Sequence, residues 1–92
     1  ISDVVYCKSD GNYTTIFLEN GASHLYSKKI KDVFETFNSN QIIRVHQSYL
    51  VNINYIKEYV KSEGYYLILE NNKTIPVSKP NRGYILDAIK NA

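Results

Sequence analysis

Turn-forming clusters recur so closely along this chain that every apolar segment between them is short. Ser9-Asp10-Gly11-Asn12, Glu19-Asn20-Gly21, Asn38-Ser39-Asn40, Ser62-Glu63-Gly64 and Asn71-Asn72-Lys73 are the breaks. Each is rich in residues that accept left-handed backbone or bond their own main chain. Between them, Val4 to Lys8, Tyr13 to Leu18, Ala22 to Tyr26, Ile42 to His46, Tyr55 to Val60, Tyr65 to Glu70 and Thr74 to Val77 read as strands carrying β-branched and aromatic residues. Tyr49 to Val51 either continues the fourth of these or forms a separate short strand. The Asn20-Gly21 pair favours a type I′ hairpin turn. The first three strands therefore form a meander, and the last three form antiparallel hairpins.

Two segments carry helical spacing. Ile30, Val33, Phe34 and Phe37 fall on one stripe behind Ser27, a residue suited to capping. That stripe reads as core, with Lys28, Lys29 and Lys31 on a solvated face. Asn81 to Lys90 presents Ile85, Leu86 and Ile89 on one side of a short terminal helix. No strand-helix alternation exists to build a parallel α/β sheet. The expected fold is mainly β and antiparallel, with two short helices, in one domain over residues 1–92.

Composition removes several function classes. Twelve aromatic residues, nine of them tyrosine, and a hydrophobic fraction of 43% indicate a folded globule. A net charge of +2 does not by itself nominate nucleic acid, so any basic face must come from uneven placement of the lysines and arginines. Cys7 is the sole cysteine and sits in the apolar run Val4-Val5-Tyr6-Cys7, which makes it a small buried residue, excludes an internal disulfide and suits a reducing cytosol. No run approaches the ~20 apolar residues of a membrane span and no signal-peptide pattern opens the chain, so a cytoplasmic protein without membrane association is expected. The only histidines, His24 and His46, lack metal-ligand spacing, and neither a nucleophile elbow nor a phosphate-cradling glycine loop is present. The expectation is no enzyme, no metal and no cofactor. The chain opens without methionine inside strand-like sequence, so a fragment of a longer protein is expected.

The run Arg44-Val45-His46-Gln47-Ser48-Tyr49-Leu50-Val51-Asn52 stands out because polar side chains break a strand-like alternation. Val45 faces one side of the strand while Arg44 and His46 face the other. Gln47 and Ser48 then form a polar corner between two buried segments. A glutamine there has the amide geometry to pair with adenine N6 and N7. Ser48, Ser78, Lys8 and Arg82 are donors suited to phosphate oxygens. Asn52 is expected to cap the turn after Val51.

This run resembles the signature of the LytTR-type DNA-binding domain, the output module of many bacterial response regulators. Asp10-Gly11-Asn12-Tyr13 and Ile75-Pro76-Val77-Ser78-Lys79 are similar to two further segments of that family, in the same order. The resemblance implies an elongated stack of small antiparallel sheets that reads DNA with loops rather than with an inserted helix. It implies base-reading by Asn12, Gln47 and Lys79, with Lys8, Arg44, His46, Ser48, Ser78 and Arg82 positioning the protein on phosphates. It further implies double-stranded DNA with repeated half-sites as partner, a homodimer on that DNA, and an upstream receiver domain in the full-length regulator. Gln47 and Lys79 stand where the family usually has arginine, and Pro80 replaces a second arginine, biasing Lys79 toward extended backbone. The expected function is sequence-specific duplex binding by a bacterial transcription regulator. One alternative is a β-rich protein-interaction or sensory module that has lost DNA binding. Another, suggested by the tyrosines, is single-strand binding by stacking.

Overall fold

The computed structural model describes residues 3–90. In chain order the elements are β1 (Val4–Asp10), β2 (Tyr13–Leu18), β3 (Ser23–Tyr26), α1 (Ile30–Phe37), β4 (Ile42–His46), β5 (Tyr49–Asn52), β6 (Ile56–Val60), β7 (Tyr66–Leu69), β8 (Thr74–Pro76) and α2 (Arg82–Lys90). Short 3₁₀ turns at Ile53–Tyr55 and Lys79–Asn81 join them. All strand pairs are antiparallel. They form a five-stranded sheet of order β3-β2-β1-β5-β4 and a three-stranded sheet β6-β7-β8. The molecule measures 34 × 26 × 23 Å along its principal axes. The mainly β, antiparallel architecture with two short helices is the one expected from the turn rhythm.

The larger sheet is covered on both faces, which explains why β1 is apolar over Val4, Val5, Tyr6 and Cys7 without interruption. Tyr6, Ile43, Val45 and Val51 point toward Leu67, Leu69 and Ile75 of the smaller sheet and Ile85 of α2. Cys7, Ile16, Ile42 and Leu50 point the other way, onto Ile30 and Val33 of α1. A register shift between Val4 and Tyr6 puts Val4 on the α1 side and Val5 on the other. The first core is closed by the smaller sheet together with α2, and the second by α1 alone. Among the described residues no helix is long and apolar enough to cross a membrane.

Three local expectations are corrected and one open alternative is decided. Ser27 does not cap α1; the N-cap position is Lys29 without a side-chain bond. The preceding loop is instead tied down from β2, where the buried Thr14 hydroxyl donates to the Lys28 carbonyl at 2.8 Å. The Asn20-Gly21 pair does not form a type I′ turn, because only Gly21, at φ 89°, is left-handed. The Gly21 amide donates to the Leu18 carbonyl and the Leu18 amide to the Ala22 carbonyl, closing a three-residue loop whose last residue is the left-handed glycine. Residues 49–51 belong to a separate strand that folds back antiparallel on β4. Tyr55 lies in the 3₁₀ turn before β6, not in the strand.

Candidate nucleic-acid interface

Backbone bonds bring three polar loops to one end of the molecule. The β1–β2 turn holds Gly11 and Asn12, with Gly11 at φ 62° in the position where a two-residue turn needs glycine. The neighbouring β4–β5 turn holds Gln47 and Ser48, and the Ser9 amide donates to the Ser48 carbonyl at 2.8 Å. On the far side of β4, the Ser78 amide donates to the Val45 carbonyl at 2.9 Å, placing the loop between β8 and α2 beside the same turn. Asn12, Gln47 and Lys79, read separately from sequence, sit one on each loop and are all exposed.

The Gln47 turn is held from within. Arg44 is half-buried; its Nε donates to the His46 carbonyl at 3.3 Å and its Nη2 to the Gln47 carbonyl at 3.0 Å. His46 accepts the Ser48 amide at Nδ1, 3.0 Å away, and meets the Tyr49 ring edge-on at 5.7 Å between centroids. With Nδ1 an acceptor, Nε2 is the nitrogen left to donate outward in the neutral ring. From α2, the Tyr84 hydroxyl donates to the Arg44 carbonyl. Burial raises the Tyr84 pKa, and the nearby Arg44 charge pulls it back. These contacts fix the main chain on either side of Gln47 and leave its side chain exposed.

The third loop differs from expectation in one respect. Lys79 is not extended; it opens the 3₁₀ turn Lys79–Asn81, and the extended residue is Ser78 at φ −73°, ψ 151°. Pro80 fits because the first residues of a helical turn have no internal partner for an N–H. The Ser78 hydroxyl accepts from Asn81 Nδ2 at 2.6 Å. Arg82, half-buried at the start of α2, sets its guanidinium carbon over the Tyr65 ring, 3.9 Å from the centroid. Tyr65, expected to open a strand, lies instead in the β6–β7 loop just before β7, where its left-handed backbone, φ 34°, takes it out of the ladder. The Val77 amide donates to the Tyr65 carbonyl at 3.1 Å, so this fourth loop borders the third.

Lys8 is exposed on β1, paired with Tyr49 and Thr15 on its neighbours. Lys8 lies near the end of β1, Arg44 beside the β4–β5 turn, Lys79 and Arg82 around the third loop and Lys61 on the fourth, so each loop has a cation on or beside it, while Asp10 ends β1 and Glu63 lies on the fourth loop. Asn52 plays the expected capping part: it is fully buried, accepts from the Asn54 amide at 2.9 Å and donates to the Val4 carbonyl at 2.8 Å. Cys7 is fully buried, and burial pushes its thiol up to about 12. No cluster of three or more metal-ligating side chains occurs among the described residues.

The end of this mainly β domain where the three loops meet is built of polar turns, with α2 following the third of them. The family model of the LytTr DNA-binding domain matches residues 1–90, and the chain belongs to that family. It is a DNA-binding family of transcription regulators rather than a catalytic one. Among solved structures, the chain is similar to one described as the LytTr DNA-binding domain of a methyl-accepting/DNA response regulator from Bacillus cereus. The two are 25% identical, with a TM-score of 0.81 over 96% of this chain and 82% of that one. No curated protein matches the chain at a significant level.

Proposed function

We propose that this domain binds double-stranded DNA sequence-specifically as the output module of a bacterial transcription regulator. The observation that carries the reading is the convergence of three loops, tied by the Ser9–Ser48 and Ser78–Val45 backbone bonds, in a chain of the LytTR family. Asn12, Gln47 and Lys79 face base edges. Gln47 offers a donor and an acceptor matched to adenine, and Lys79 offers a point charge to guanine or phosphate. Lys8, the His46 Nε2–H, Ser48, Ser78 and Arg82 contact the sugar-phosphate backbone and set the register. Arg44 contributes by clamping the Gln47 turn. The working form is a pair of domains on repeated half-sites, in a regulator with a receiver domain upstream of this segment and a cytoplasmic location.

A salt titration of binding to duplex and single-stranded DNA tests this. The proposal expects steep weakening of duplex binding with salt, from displaced counterions, and tighter binding to duplex than to single strands. Absence of affinity for a large random pool of duplexes at low salt would mean the domain is an interaction or sensory module. Preference for single strands would mean that tyrosine stacking carries the binding.

A further inference from the structure

Beyond the three loops, two cations are mounted on a continuous aromatic ladder. Lys61 Nζ lies 5.9 Å from the centroid of Tyr59, the Tyr59 and Tyr65 rings are 6.2 Å apart, and the Arg82 guanidinium covers Tyr65 at 3.9 Å. The ladder spans β6, the β6–β7 loop and the first residue of α2, adjoining Lys79 through the Val77–Tyr65 backbone bond. Its loop is bent hard: Glu63, Gly64 and Tyr65 take φ of 49°, 93° and 34° in succession. Two of these are not glycine, and left-handed backbone is costly for them. The bend brings the Tyr65 ring under Arg82.

Stacking occupies the face of a guanidinium and leaves the N–H donors, which lie in its plane, available at the edge. Arg82 Nε is buried with no hydrogen-bond partner among the described residues, so the outer amines carry the free donors. Neither Arg82 nor Lys61 is paired with a carboxylate among those residues. We propose that Lys61 and Arg82, braced by Tyr59 and Tyr65, form a fourth contact that grips phosphodiesters of duplex DNA flanking the bases read by the three loops. This rests on the duplex-binding reading above and extends its footprint to a loop outside the three motifs.

The test measures affinity for a long random-sequence duplex and for a selected site across a salt series, using wild type, K61Q, R82Q, Y65F and Y65L. Folding is checked for each by circular dichroism. K61Q and R82Q should each flatten the slope of log affinity against log salt by about 0.9, weakening both duplexes equally. Y65F keeps the ring and should match wild type, while Y65L should behave like R82Q. If Y65L does not fold, K61Q and R82Q still decide the matter. With wild type itself binding duplex, a wild-type slope for K61Q overturns the fourth contact and leaves the three-loop reading in place, whereas a wild-type slope for R82Q also removes Arg82 from the phosphate contacts proposed above. Failure of wild type to bind duplex overturns the fourth contact together with the three-loop reading.

Discussion

On the proposed reading, Arg44 serves the Gln47 loop from within the protein rather than as the phosphate contact expected from sequence. Its two donors close on the His46 and Gln47 carbonyls, a geometry a planar fork can satisfy and a lysine ammonium cannot reproduce. R44A and R44K should each lower thermal stability by roughly 1 to 2 kcal/mol, the scale of charge-assisted hydrogen bonds at a half-buried site. Both should also reduce preference for the best site over random DNA while leaving the salt slope unchanged. A slope flattened in R44A and restored in R44K would make Arg44 a phosphate contact instead. Cys7 makes a second prediction at this scale. Its thiol pKa is raised from 9.0 to about 12 by burial, so the folded state holds that proton more tightly than the unfolded one. The resulting stability is complete below about pH 9 and is lost as pH rises toward 12. Thiol reagents should leave Cys7 unmodified in the native protein at neutral pH, and C7A should have a shallower loss of stability between those pH values.

At the scale of elements, Asn52 joins pieces that strand pairing alone does not hold. It ends β5, bonds the Val4 carbonyl of β1 and caps the 3₁₀ turn leading to the second sheet. N52A leaves a buried carbonyl unpaired and should cost about 2 to 3 kcal/mol in denaturant unfolding. N52D keeps the bond from Asn54 but sets an oxygen against the Val4 carbonyl, and should cost more than N52A at neutral pH. A stability loss below about 0.5 kcal/mol for N52A, the level of ordinary surface substitutions, would remove Asn52 from this role. The sequence revealed this residue and most strands because their signals are local: alternation, β-branching and turn amides. It did not reveal the loop geometry at Asn20-Gly21, where one glycine serves two turn families, or the start of α1, which is held by Thr14 from another strand. The contacts of Arg44 with Tyr84 and of Arg82 with Tyr65 were hidden for the same reason: they join residues 40 and 17 positions apart, and only the folded chain brings them together.

For the whole molecule, two cores on opposite faces of one sheet fix the strand ends from which the binding loops project. Asn12, Gln47 and Lys79 were recognisable individually because each lies in a motif of the LytTR family, whereas their convergence required the pairings of β1 with β5 and of β4 with the Ser78 backbone. The central claim is that these loops read bases, with Gln47 choosing one where the family usually has arginine. Selection of bound sequences from random duplex DNA by wild type and by Q47R tests it directly. Wild type should recover a defined motif with adenine at the position facing residue 47, and Q47R should change that position to guanine while leaving the rest of the motif intact. A featureless set from wild type, or an identical motif from both proteins, would contradict it.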